Sequence, residues 1–175
     1  MSKTKENLAA AFAGESQARN KYTYFAAVAK KEGYHYIAKI FEETADNEKR
    51  HAKDEFLLLD GLGDTIANLK EAIGGEHYET VTMYPEFAEA ALAEGDKKAA
   101  ALFKMIAKVE EHHRDRYKKL LERVENGTVF KRENPIKWKC SVCGYIHEGT
   151  EPPKKCPCCS HSHEHYEPAD MESDI

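Results

Sequence analysis

Glu48-x-x-His51 and Glu110-x-x-His113 are one motif written twice. On a helix, the i, i+3 spacing puts the carboxylate and the imidazole on the same face. Glu15 and Glu76 fall on the apolar stripes of two other helical segments, and Glu79 lies one turn after Glu76. A carboxylate buried alone costs several kcal/mol and takes up a proton rather than staying charged. Glutamates converging from four stripes would also repel one another, and a pair of divalent cations resolves that repulsion. Carboxylates bridge two hard cations and imidazoles cap them. The set Glu15, Glu48, His51, Glu76, Glu79, Glu110 and His113 therefore predicts a di-iron or di-manganese centre of the carboxylate type.

A second chemistry sits near the end of the chain. All five cysteines fall between Cys140 and Cys159. Cys140-x-x-Cys143 and Cys156-x-x-Cys159 are two knuckles of the spacing that holds one tetrahedral ion in four thiolates. Zinc and a single iron both fit such a site. Cys158 breaks the spacing and reads as a spare thiol. His161, His163 and His165 read as a solvated tract.

The elements that must position these residues are helices. Four segments run from about Lys5 to Lys31, His35 to Leu59, beyond Asp64 to before Gly95, and beyond Asp96 to before Gly127. Gly33, Gly61, Gly95 and Gly127 are expected as left-handed C-caps, and Asp64 as an N-cap. The apolar stripes are Leu8, Ala11, Ala18, Tyr22, Phe25 and Ala29; Ile37, Phe41, Thr44 and Leu58; Ile66, Leu69, Ile73, Met83, Phe87 and Ala90; and Leu102, Ile106, Val109, Tyr117, Leu120 and Val124. Steps of three and four make these the expected inward faces of a four-helix bundle. The connections are mostly short, so neighbouring helices are expected to pack antiparallel; the second-to-third join has the same look, with a long crossover or an exchange between chains as the alternatives. The halves echo one another: Gly14-Glu15 matches Gly75-Glu76, and the steps to Glu48 and Glu110 are 33 and 34 residues. Ala18 stands where the second half has Glu79, so the site is expected to be lopsided. Tyr22 and Tyr84 are core aromatics whose hydroxyls, if buried, need a partner such as a ligating carboxylate. Glu42, Glu43, Glu55, Glu111 and His112 read as surface or supporting residues.

The bulk numbers agree with this division. Of 175 residues, 41% are hydrophobic and 33% charged, with a formal charge of -5. That balance gives no basic stripe for nucleic acid. No run reaches the roughly 18 apolar residues that would span a bilayer, and the first ten residues show no secretion signal. A cytoplasmic location is expected, with thiols reduced and available for metal. The texture changes near 127, giving an expected helical domain over 1–127 and a small domain over 135–175. So small a domain needs a metal staple.

"AFAGESQARNKY", "IFEETADNEKRHAKDEF", "AIGGEHYETVTMYPEFA", "IAKVEEHHRDRY" and "KWKCSVCGYIHEGTEPPKKCPCC" together resemble the rubrerythrin family, in order and along nearly the whole chain. The resemblance implies a ferritin-like four-helix domain with a non-haem di-iron centre, followed by a rubredoxin-like domain. It implies three irons per chain, with Glu15, Glu48, His51, Glu76, Glu79, Glu110 and His113 as the di-iron ligands. One iron would exchange Glu79, in the oxidised form, for His51 in the reduced form. Tyr22 and Tyr84 match tyrosines hydrogen-bonded near that centre. Cys140, Cys143, Cys156 and Cys159 match the ligands of the single iron, a site that zinc can fill in recombinant protein. The implied activity is reduction of hydrogen peroxide to water, protecting against oxidative stress. The implied electron donor is a rubredoxin or a separate NAD(P)H-dependent reductase. A homodimer is implied, one chain's rubredoxin-like domain lying against the other's di-iron domain. Two departures stand out: Cys158 replaces a small non-cysteine residue, and "SHSHEHY" is unusually rich in histidine. An iron-storage protein would share the bundle but has no use for the cysteine tail. A zinc-stapled interaction protein would leave the carboxylates unexplained, whereas an oxidase acting on oxygen fits the same residues.

Overall fold

A computed structural model describes residues 2–172. The fold class is the expected one: an all-α helical part followed by a small β domain built around the cysteines. Among the described residues, no helix is long and apolar enough to cross a membrane. The chain divides into two compact units, up to Gly63 and from Asp64 onward. The division falls inside the helical part.

In the first unit, α1 (Lys3–Lys31) packs along α2 (His35–Leu58). Ser2 caps α1 by accepting from the Lys5 N–H. Gly33 turns the chain at φ 85°, a left-handed conformation that costs glycine nothing. Tyr34 N–H then closes onto Ala29 O at 2.8 Å. The seam is alanine: Ala26 and Ala29 from α1 are buried, with Ala38, Ala45 and Ala52 from α2 at seven-residue intervals. Small side chains on one stripe let two helix backbones approach closely. Phe12 stacks on Phe56 at 5.0 Å between ring centroids.

The end of α2 differs from expectation. The left-handed residue is Asp60 (φ 59°), not Gly61. Gly61 is required for another reason, since a Cβ there would lie 2.2 Å from the Phe56 ring. Its N–H closes the helix onto Phe56 O.

In the second unit, α3 (Thr65–Tyr78) is capped by Asp64, α4 covers Tyr84–Ala93, and α5 (Lys97–Glu125) is capped by Asp96. Both α3 and α4 pack on α5. The sequence predicts one unbroken helix for α3 and α4. A π-helical turn over Glu79–Met83 interrupts it, and the Tyr84 N–H reaches back to Glu79 O. Pro85 supplies a local reason, because it has no N–H to continue the ordinary ladder. Buried Ala88, Ala91 and Ala100 repeat Ala26, Ala29 and Ala38 at an offset of 62 residues (88 − 26, 91 − 29 and 100 − 38).

Several stripe residues expected to face inward are exposed, among them Phe25, Ile37, Leu58, Phe87, Leu102 and Val109. Within each unit the alanine stripe forms the helix–helix seam. Phe41 packs against that seam in the first unit.

The small domain is a three-stranded antiparallel sheet in the order β2-β1-β3, with β1 Ile136–Cys140, β2 Ile146–Gly149 and β3 Tyr166–Pro168. Trp138 is wholly buried at its centre and donates from Nε1 to Gly149 O at 2.9 Å. The Arg132 guanidinium lies 5.1 Å over its ring.

Candidate metal centres

Ligand atoms of Glu15, Glu48 and His51 lie within 4.8 Å of one another, and those of Glu76, Glu110 and His113 do the same. The first triad stands on α1 and α2, and the second on α3 and α5. His51 Nδ1 is 2.8 Å from Glu48 Oε2, and His113 Nδ1 is 2.7 Å from Glu110 Oε2. The i, i+3 spacing brings each pair together as expected. Glu48 is 16% exposed and His51 57%, so the carboxylate sits inside and the imidazole at the open edge.

The electrostatics are those of carboxylates waiting for a cation. Glu15 is held above its ordinary pKa, chiefly by sharing a hydrogen bond with Glu48, with burial and that neighbour's charge adding to the effect. Glu76 is also raised, first by burial and then by the charge of Glu110. A divalent ion in either triad would replace the shared proton. Burial and the charges of Glu79, Glu110 and Glu76 push Tyr84 above its ordinary value, which places its hydroxyl in the field of the second set.

The triads belong to a wider internal repeat. Tyr22, Phe25 and Phe41 form an aromatic cluster with centroid distances of 6.2, 6.1 and 5.6 Å. Tyr84, Phe87 and Phe103 form its counterpart at 6.4, 6.1 and 5.6 Å. The offset is 62 throughout (84 − 22, 87 − 25, 103 − 41), and it holds for the two Glu-x-x-His motifs (110 − 48, 113 − 51). Only the lone glutamates break it, at 61 (76 − 15). Glu15 precedes Tyr22 by seven residues, whereas Glu76 precedes Tyr84 by eight. The π turn absorbs that extra residue, and Glu79 begins it. Such turns are frequent at functional sites. The seven-to-eight mismatch was the available sequence signal for the turn.

Of the two roles expected for Glu55, surface or supporting, the structure favours the second, since its Oε2 is buried without a hydrogen-bond partner. Its charge contributes to raising Glu15. Three residues of the outward set behave as expected: Glu42 pairs with Lys30, Glu111 with Arg114, and His112 with Glu172.

The four cysteines of the two knuckles also converge. Cys140 and Cys159 sulfurs are 3.7 Å apart, and Cys143 and Cys156 sulfurs 3.6 Å. Metal–sulfur bonds of about 2.3 Å in a tetrahedron imply an edge of about 3.8 Å, so the set fits one ion. The knuckles repeat each other: Gly144 N–H donates to Cys140 O and Ser160 N–H to Cys156 O, both at 2.8 Å. Gly144 (φ 77°) and Ser160 (φ 63°) occupy the same left-handed position. Backbone N–H groups of Tyr145 and His161 donate to the Cys143 and Cys159 sulfurs. Burial pushes Cys156 up, but Tyr166 and the N–H groups of Cys159 and Cys158 outweigh it and hold the thiol down at about 6. The buried Tyr166 hydroxyl makes no hydrogen bond of ordinary geometry, and burial and the facing Cys156 sulfur push its pKa up. Cys158 stays outside the cluster and exposed, as expected of a spare thiol.

Residues 6–121 match the family described as rubrerythrin, and residues 138–167 match the rubrerythrin rubredoxin-like domain. The chain belongs to the rubrerythrin family. It is 49% identical over 180 residues to rubrerythrin of Porphyromonas gingivalis, covering 95% of this chain and 90% of that one. It is 45% identical over 179 residues to rubrerythrin of Nitratidesulfovibrio vulgaris, covering 95% and 94%. A solved structure of nigerythrin in a partially reduced state aligns at 34% identity over 96% of this chain and 87% of that one, with a TM-score of 0.38.

Proposed function

We propose that this chain is a non-haem di-iron peroxidase that reduces hydrogen peroxide to water. Electrons would be relayed by an iron held by Cys140, Cys143, Cys156 and Cys159. One observation carries the reading: a single chain holds two matched carboxylate–imidazole triads and one four-thiolate set. The first kind of donor suits ions that bind oxygen, and the second suits an ion that only changes charge. Membership of the rubrerythrin family supports it.

The reaction takes one peroxide, two electrons and two protons to two waters. A bound pair of ferrous ions would supply the two electrons and the Lewis acidity for the departing oxygen. The chain's own residues do the rest. Glu15, Glu48, Glu76 and Glu110 would hold the pair through carboxylate oxygens, and His51 and His113 would add one imidazole each. Glu79 would supply the extra negative charge suited to the oxidised pair, and the more open His51 would suit the reduced one. Tyr84 favours its protonated form, burial and the charges of Glu79, Glu110 and Glu76 holding it above its ordinary value. It is thus placed to donate a hydrogen bond to a ligating carboxylate, and Tyr22 holds the matching position.

In the thiolate site, N–H donors to sulfur disperse negative charge and let the ion alternate between states at a fixed geometry. The electrons would come from a rubredoxin or a separate NAD(P)H-dependent reductase, a donor that membership of the rubrerythrin family supports. The helical domain covers 1–127 and the thiolate domain 135–175. The protein works in the cytoplasm as a homodimer in which one chain's thiolate domain serves the other's di-iron domain. Zinc can fill these sites in recombinant protein.

The test is metal content and turnover of protein reconstituted with iron under anoxic conditions. The expected result is about three irons per chain, one of them lost in Cys140→Ser, with peroxide-dependent oxidation of NAD(P)H once a reductase is added. One iron per chain, with no peroxide consumption, would overturn the reading.

A further inference from the structure

We propose that each di-iron site is assembled from two copies of the chain, α1 and α2 of one copy meeting α3, α4 and α5 of the other. The inference rests on the di-iron reading of the two triads. Each triad offers two carboxylates and one imidazole, which is half of a bridged two-ion site. Each stands on its own compact unit. Both units also carry large apolar residues that are exposed: Phe25 and Ile40 on one, Phe87 and Leu102 on the other. These are equivalent positions at the 62-residue offset (87 − 25 and 102 − 40), so the same face is open on both. A two-helix layer with such a face needs two further helices to cover it.

Chain direction decides where those helices come from. In each Glu-x-x-His motif the imidazole lies one turn C-terminal to its glutamate. If the two motifs face one another across a pair of ions, as in ferritin-like carboxylate sites, each ion would gain one imidazole only if α2 and α5 run in opposite directions. If they ran parallel, both imidazoles would reach the same ion. A tight turn at Gly95 joins α4 to α5, so α3 and α4 run antiparallel to α5. Hence α3 must run parallel to α2. Inside one chain, the start of α3 would then lie a full helix length from the end of α2, about 36 Å for its 24 residues. The connector Leu59–Asp64 spans at most about 20 Å when fully extended. It cannot make the crossover, whereas a second copy needs none. Reciprocal exchange between two chains closes a symmetric dimer with two complete sites.

The test is complementation. One chain carries Glu15→Gln with Glu48→Gln, the other Glu76→Gln with Glu110→Gln, and each bears a different affinity tag. They are co-expressed, and the mixed dimer is isolated through both tags and reconstituted with ferrous iron. The readout is iron held beyond that of the thiolate site, measured alongside peroxide turnover. Exchange predicts that each parent homodimer binds almost none and that the mixed dimer recovers about half the wild-type value, because one of its two sites has four intact helices. A mixed dimer with none, when wild type is loaded, overturns the exchange and leaves the di-iron reading standing. A wild-type chain that sediments as a monomer while holding this iron overturns it equally. Wild type without this iron sinks the di-iron reading itself, and the exchange with it. Should a Gln pair fail to fold, as judged by helical circular dichroism, His51→Asn with His113→Asn on separate chains gives the same contrast.

Discussion

The two helical hairpins are built on one plan, and the second has one residue more between its lone glutamate and its tyrosine. Ala26, Ala29 and Ala38 in one, and Ala88, Ala91 and Ala100 in the other, form equivalent seams. Tyr22, Phe25 and Phe41 are matched by Tyr84, Phe87 and Phe103. The added residue in the second hairpin is taken up by the π turn at Glu79–Met83. Its consequence is chemical: a carboxylate begins the turn where the first hairpin has Ala18. The second hairpin thus carries one carboxylate more, close in sequence to its triad, than the first.

The largest expected effect comes from erasing that difference. Glu79→Ala makes the second hairpin resemble the first. Iron content should be retained, because both triads remain intact, while peroxide turnover under anoxic reconstitution falls by about 10- to 100-fold, the range seen when a group supporting a metal site is removed. Turnover equal to wild type would mean that the π turn serves the fold alone.

A smaller effect tests the shared frame. Ala38→Leu and Ala100→Leu each force a large side chain into an alanine seam, at a cost of about 1–3 kcal/mol from overpacking. The repeat predicts similar losses for the two, read as denaturant midpoints. A large loss for one and none for the other would show that the seams are not equivalent.

Much of this plan was legible in the sequence because it rests on short-range spacing. The i, i+3 motifs and the paired cysteine knuckles are local geometry, and both converge as read. Glycine stops at Gly33, Gly95 and Gly127 take positive φ for the same reason. What escaped needed three-dimensional contact. Gly61 looked like a left-handed cap, but its role is to clear the Phe56 ring, and Asp60 carries the positive φ. Periodicity marked Phe25 and Phe87 as apolar without revealing that alanine forms the seam. The sequence left Glu55 between a surface and a supporting role, and only the fold shows an oxygen of its carboxylate buried. The π turn left only a one-residue spacing mismatch, which a helical wheel averages away.

The smallest effect separates the hairpins by the origin of their raised carboxyl groups. Glu15 is raised mainly by its hydrogen bond with Glu48, and Glu76 mainly by burial. Both groups hold a proton more tightly in the folded chain than in the unfolded one. Metal-free protein should therefore lose stability as pH rises above the ordinary glutamate value of 4.5 and through the raised folded values, where the folded state binds more protons than the unfolded. Below that window the contribution is fully present. Iron reverses the sign, because ligands must be deprotonated and metal affinity grows with pH. Thermal midpoints of the metal-free chain, followed upward from pH 4.5, should fall with a slope that Glu48→Gln reduces by removing the carboxylate with which Glu15 shares its proton. Glu76→Gln should reduce it separately by removing the buried titrating group. A slope unchanged in both variants would place the pH dependence elsewhere in the molecule. A slope abolished by one alone would show that a single hairpin carries the strain that the metal relieves.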